Sequence, residues 1–294
     1  MFRAEIPLLE GRRLSFGPLP GVMAILNVTP DSFSDGGLLA SAEQAVRTGL
    51  RAAELGAALV DVGGESTRPR GSAYGSGAGA VSDDEEIARV LPVVEALRRA
   101  SPALPISVDT RKAAVARAAL DAGADLINVV TGLDAEPALL RVVAERGAAL
   151  LLSHCRGTPE TTFQVSRFQD VVREVAEDLE AARRGALAAG VAAEKLLLDP
   201  GLGFGKKPDE NFALLGELDR LAPEGVPLVV GASRKAFLGT VADRPVPDRL
   251  PESLGAVAVA ARVAGARPVI VRVHDVAETL RFLAVLRRSL EGTT

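Results

Sequence analysis

The chain of 294 residues is most informative at first through what it lacks. It has one cysteine, Cys155, which excludes an internal disulfide and fits a reducing compartment. No apolar run reaches the ~18 residues of a membrane span. The opening MFRAEIPLLEGRR lacks the apolar segment of about 7–15 residues that a secretory signal needs, so a cytoplasmic location is expected. A net positive charge is also absent. A net charge of −4 argues against a nucleic-acid footprint or a polybasic membrane contact, and any anionic ligand must be held by locally clustered cations. Five of the 34 basic residues are lysine: Lys112, Lys195, Lys206, Lys207 and Lys235. There are two histidines, His154 and His274. No low-complexity linker divides the chain, so one domain over 1–294 is expected, with 1–20 as a lead-in that forms a small hairpin under the domain.

What is present is a repeated event. With 48% hydrophobic residues the chain can bury a full core. Val22-Met23-Ala24-Ile25-Leu26 is too short for a buried helix and right for a buried strand. It breaks into the polar loop Asn27 to Gly37, after which helical periodicity runs from Ser41, the expected N-cap, to Leu55. The same sequence of strand, polar loop and helix recurs. Apolar runs precede Gly63, Asp109, Asn128, Ser153, Asp199, Gly231 and Arg272. The second loop, GGESTRPRGSAYGSGAGA, is long and rich in Gly, Ser and Ala, and is expected to be mobile. Apolar rather than alternating strands belong to a parallel sheet covered by helices. Eight such units predict an α/β fold, a (β/α)8 TIM barrel, with chemistry at the C-terminal strand ends. An open doubly wound sheet is the alternative, but its nucleotide fingerprint is missing. GLGFGK, after the sixth strand, matches neither G-x-G-x-x-G nor G-x-x-x-x-G-K-[ST].

In a barrel, one mouth gathers Asn27, Glu65, Thr67, Arg68, Asp109, Asn128, His154, Asp199, Ser233, Lys235, Arg272 and His274. Asp109, Asn128 and Asp199 have no basic neighbour in sequence, and a heterocycle bearing N–H and amino groups would satisfy them. Lys235 offers a cation to a ring carbonyl or nitrogen. Arg68, Arg272 and His274 would form a cationic corner for phosphate oxygens. Asn27 is a neutral oxygen donor of the kind Mg²⁺ accepts while it leans on substrate phosphates. Zinc is not expected, because two histidines and one cysteine lie apart without ligand spacing. His154 and Cys155 point to opposite faces of a strand, which argues against a Cys–His dyad. The set suggests group transfer with departure of pyrophosphate.

ILNVTPDSFSDGG, VGGESTRPR, SVDTRK, LLLDPGLGFGK, GASRKAFLG and VRVHD, in that order, resemble the dihydropteroate synthase family from about residue 22 onward. The resemblance implies a transferase of folate biosynthesis, usually a homodimer. The implied reaction condenses 6-hydroxymethyl-7,8-dihydropterin pyrophosphate with p-aminobenzoate, giving 7,8-dihydropteroate and pyrophosphate with Mg²⁺ assistance. Carried over by position, Asp109, Asn128, Asp199 and Lys235 would bind the pterin. Asn27, Arg68, Arg272 and His274 would hold the pyrophosphate, Asn27 through Mg²⁺. Phe33, Thr67, Pro69, Phe204 and Ser233 would shape the p-aminobenzoate pocket that sulfonamides mimic. Asp35 would lie against the methylene cation, and the first two loops would close over the site.

The chain departs from the family pattern in three places. Val129 follows Asn128 where Asp is usual, Ser153-His154-Cys155 replaces Met-His-Met, and the second loop is extended through 70–80. Two other readings share the barrel. A methyltetrahydrofolate–corrinoid methyltransferase would keep the Asp/Asn/Asp pocket but not the Ser-Thr-Arg-Pro loop or the Arg-x-His corner. A non-catalytic pterin-binding paralogue would have lost Asn27, Arg68 or Lys235, and all three are present.

Overall fold

In a computed structural model, eight parallel strands close into a barrel. The structure describes residues 4–28, 37–65, 81–158 and 160–291. Two antiparallel strands come first, β1 (Ala4–Pro7) and β2 (Arg13–Phe16). The barrel strands are β3 (Gly21–Asn27), β4 (Leu59–Gly63), β5 (Ile106–Asp109), β6 (Leu126–Val129), β7 (Ala149–Ser153), β8 (Leu196–Asp199), β9 (Leu228–Val230) and β10 (Val269–Val273). They pair in chain order, and β10 closes on β3 with Arg272 opposite Met23. Helices α1 (Gly37–Leu55), α2 (Asp83–Ala100), α3 (Ala113–Asp121), α4 (Pro137–Arg146), α5 (Thr162–Val165), α6 (Val171–Ala188), α7 (Pro208–Gly216), α8 (Ala236–Gly239), α9 (Leu250–Ala264) and α10 (Val276–Glu291) complete the units. The eight expected strands fall where the apolar runs lie. Helix α1 begins at Gly37, ahead of Ser41, so Ser41 is inside the helix and not its N-cap.

Period-two alternation along each strand explains both cores. Val22, Val60, Ile106, Ile127, Leu150, Leu198 and Val271 face outward into the main apolar cluster with the helices. Met23, Leu59, Leu126, Ala149, Leu151, Leu197, Val229 and Ile270 face inward and form a second cluster. The hairpin adds Ile6, Leu8, Leu14 and Phe16 to that inner cluster, so it plugs the N-terminal end of the barrel. An ion cluster fastens it there. Arg12 donates to buried Asp125 at 2.7 Å, and Arg98 donates to the other oxygen of Asp125 at 2.7 Å.

Candidate active site

Moving up each strand, the inward positions change from apolar to polar. Leu59 is followed on the same face by Asp61, Leu126 by Asn128, Leu151 by Ser153, Leu197 by Asp199 and Ile270 by Arg272. Ser107 and Asp109 occupy the equivalent positions of β5. The mouth therefore arises from the same alternation that builds the core, with the substitution of polar residues at one level.

Asp61 is the centre of that level and is fully buried. Its Oδ1 accepts from Ser107 Oγ at 2.6 Å, and its Oδ2 accepts from Asn128 Nδ2 at 3.1 Å and from Arg272 Nε at 2.7 Å. Arg272 also donates to Asp109 Oδ2 at 3.2 Å. Arg272, expected in a cationic corner, thus bridges two carboxylates, and Asp109 receives a basic partner from a strand 163 residues away in sequence. Burial lowers the pKa of a guanidinium, yet Asp61 and Asp109 outweigh it and hold Arg272 firmly protonated. Burial pushes the Asp109 carboxyl up to about 7 against the opposing pull of Arg272.

Asn128 gives its amide N–H to Asp61, and its Oδ1 is buried with no hydrogen-bond partner among the described residues. A buried acceptor without a donor costs about 1–3 kcal/mol, so this atom marks a place where a ligand N–H would be stabilising.

Asp199 and Lys235 form the other wall. Asp199 Oδ1 accepts from Gly201 N at 2.6 Å, and burial raises its pKa while Lys235 opposes the rise. Lys235 donates to the carbonyl of Leu202, and its ammonium lies 4.5 Å from the centroid of the Phe204 ring. Burial draws its pKa down to about 8, with Asp199 resisting. Arg234, between Ser233 and Lys235, is left-handed with φ 59°. That costly conformation for a residue with a Cβ is held by the ion pair of Arg234 with Asp275 and by the donation of Arg234 N to Ser253 Oγ at 3.0 Å. Ser233 Oγ accepts from His274 N at 3.2 Å and lies 3.1 Å from His274 Nδ1, so the ends of β9 and β10 share one polar cluster.

Asn27 ends β3, half-buried. A Cβ built on Gly63 would sit 3.9 Å from Asn27 Oδ1 and 3.7 Å from Asp109 Cβ, so the absence of a side chain there leaves room between them. A single neutral oxygen donor beside that room fits a cation that keeps its waters and takes its remaining ligands from a substrate.

Two other residues assigned to the mouth are used elsewhere. Glu65 pairs with Arg111 at 3.2 Å and Lys112 at 3.3 Å, at the base of the second loop. His154 is fully buried, 3.1 Å from Asp178 and 3.0 Å from Lys206 Nζ, beneath the segment 201–206. Phe33, Asp35, Thr67, Arg68 and Pro69 lie outside the described residues, as do the expected mobility and closure of the two loops. The sequence reading missed Asp61 and Ser107. A lone Asp on the inward phase of LVDVG was the available signal, since inward Leu59 fixes the phase of Asp61.

A family model described as pterin binding enzyme matches residues 23–274. The dihydropteroate synthase of Escherichia coli is 44% identical over 273 residues, 93% of this chain and 93% of the relative. The chain belongs to the dihydropteroate synthase family. Among solved structures of that family, Xanthomonas albilineans dihydropteroate synthase with 4-aminobenzoic acid superposes with a TM-score of 0.85 at 43% identity, covering 97% of this chain and 98% of that one. The same organism's dihydropteroate synthase in complex with 7,8-dihydropteroate gives a TM-score of 0.82 at 38% identity, covering 98% and 99%.

Proposed function

We propose that this chain joins 6-hydroxymethyl-7,8-dihydropterin pyrophosphate to p-aminobenzoate, forming 7,8-dihydropteroate and releasing pyrophosphate. The buried Asn128 Oδ1, without a hydrogen-bond partner among the described residues, in a mouth that also holds buried Asp109 and Asp199, is the observation that carries this reading. A pterin presents ring N–H and exocyclic amino groups to acceptors on one edge, which is what the two aspartates and Asn128 supply. Lys235 donates to the pterin carbonyl or ring nitrogen. Arg68, Arg272 and His274 would hold the pyrophosphate. Arg272 reaches it by exchanging one of its two carboxylate partners once the pterin donors occupy Asp109.

Asn27 would hold Mg²⁺, which when bound supplies charge neutralisation to the departing pyrophosphate. The chain's own residues orient the pterin, bind the leaving group and keep water from the methylene carbon. Asp35 is the carboxylate we assign to the cationic methylene. The p-aminobenzoate nitrogen is neutral near pH 7 and attacks as a free amine, so the site needs no strong base. Phe33, Thr67, Pro69, Phe204 and Ser233 form its pocket, where sulfonamides would compete. We also propose that the protein is a cytoplasmic homodimer.

The test is pyrophosphate release by purified protein given the pterin pyrophosphate and Mg²⁺, with and without p-aminobenzoate. Release that requires p-aminobenzoate and yields dihydropteroate is the expected result. Tight pterin binding without release would identify a binding paralogue instead.

A further inference from the structure

The segment Gly201–Lys206 has a feature that neither pterin recognition nor pyrophosphate binding uses. Gly201, Gly203 and Gly205 all have positive φ, at 64°, 82° and 64°. A Cβ at Gly201 would lie 1.8 Å from the carbonyl oxygen of His154. The chain is thus folded into a tight turn that only glycine permits. Its carbonyls converge inward on Lys206, a lysine only 3% exposed. The ammonium lies 2.9 Å from Gly201 O, 3.1 Å from Phe204 O and 3.0 Å from His154 Nδ1. These acceptors, with the His154 carbonyl at 3.4 Å, surround the three N–H bonds of the ammonium, whose pKa burial draws down to about 7. Acceptance at Nδ1 leaves the Nε2 proton of His154 to donate to Asp178, 3.1 Å away. His154 is accordingly neutral, its pKa drawn down to about 4 by burial and by Lys206.

The turn built around this cation touches the reacting pocket at three points. Gly201 N donates to Asp199, the Leu202 carbonyl accepts from Lys235, and the Phe204 ring lies under the Lys235 ammonium. Carbonyl oxygens pointing to an internal cation are the reverse of a phosphate loop, whose N–H groups point to an external anion. A buried lysine is costly unless its donors are matched, and here the matching is with the backbone of the turn.

We infer that Lys206 is a positioning residue, an internal strut that fixes the 201–205 turn so that the Phe204 ring is set against Lys235 and completes the p-aminobenzoate pocket. This rests on the reading above that Phe204 lines that pocket.

The experiment is a double-mutant cycle between Lys206→Met and Phe204→Ala, read as KM for p-aminobenzoate at saturating pterin pyrophosphate. Lys206→Met is expected to raise that KM about ten-fold with kcat changed less than about three-fold. In the Phe204→Ala background the same substitution is expected to raise it less than about two-fold, because the ring it positions is gone. Equal factors in the two backgrounds would overturn the inference, as would an unchanged KM in the single variant. If Lys206→Met does not accumulate as folded protein, Lys206→Gln takes its place in the cycle. Its amide retains two donors for the two turn carbonyls, and it should show a smaller but equally non-additive rise; a native KM would overturn the inference too. Wild-type protein without p-aminobenzoate-dependent release fails the functional reading first. A competent wild type with additive or silent variants fails this inference alone.

Discussion

Burial moves Asp109 upward and Lys235 downward, each toward neutrality, and that has a consequence for ligand binding. Asp109 titrates at about 7 and Lys235 at about 8, both moved mainly by burial. On the proposed reading, pterin N–H groups need the carboxylate, and the pterin acceptor needs the ammonium. Below about pH 7 binding must first remove a proton from Asp109, so affinity should fall about ten-fold per pH unit there; above about pH 8 it should fall as Lys235 loses its proton. Calorimetric Kd values for the pterin pyrophosphate across pH 5.5–9.5 check this, with the optimum lying between the two values. Asp109→Asn should weaken binding and flatten the acid limb only, while Lys235→Ala should weaken it by at least about ten-fold and flatten the alkaline limb. An acid limb that survives in Asp109→Asn would assign it to another group. At this scale the sequence pointed to Asp109, Asn128 and Asp199 because each closes an apolar run, and to Lys235 because it lies in the loop after one. For Arg272, two residues before His274, it suggested a phosphate ligand but gave no sign of the carboxylates that also bind it. Only barrel closure, which puts β10 next to β3 and so near β4, shows that Asp61 claims it.

Among the elements, the strands were legible to within a residue or two because each is a short apolar run between a turn and a polar loop. The small helices α5 and α8, of four residues each, carry no periodicity that could have revealed them. The hairpin β1–β2 was expected from position and turn residues, but its purpose comes from packing. Leu14 is 2% exposed and belongs to the inner cluster with Met23, Leu59 and Leu197. Leu14→Ala should therefore destabilise the protein by about 2–4 kcal/mol while leaving the Kd for pterin pyrophosphate within about two-fold, since the site lies at the other end of the strands. Urea unfolding with calorimetric binding checks both. A large affinity loss would mean that the plug and the mouth are mechanically linked.

For the whole molecule, the inner cluster runs without a break from hairpin to barrel, which predicts one cooperative unfolding transition. Far-ultraviolet dichroism and tyrosine fluorescence of Tyr74 need not report the same region, so backbone hydrogen exchange of β1–β2 against β6–β8 is the better comparison. Coincident loss of protection supports a single unit; earlier release of the hairpin would separate it. Light scattering should give twice the chain mass of 30.5 kDa for the homodimer. Chelation by EDTA should abolish pyrophosphate release and leave the fold intact, with Mg²⁺ restoring activity. The oligomeric state is the property least visible in the sequence, because an exposed apolar side chain such as Val285 reads the same on a monomer surface as in an interface.

The plugged end also governs traffic. A vessel stoppered at its base has one doorway, and among the described residues the floor of this one is packed apolar side chains, mostly leucine and isoleucine. On the proposed assignment, the pterin, whose partners would line the deeper walls, would pass through before p-aminobenzoate takes its place above it. An arylamine that enters first becomes an obstruction, so high p-aminobenzoate should slow turnover when the pterin pyrophosphate is scarce. The finished adduct has to back out the way its halves came in, with the end that arrived last leaving first.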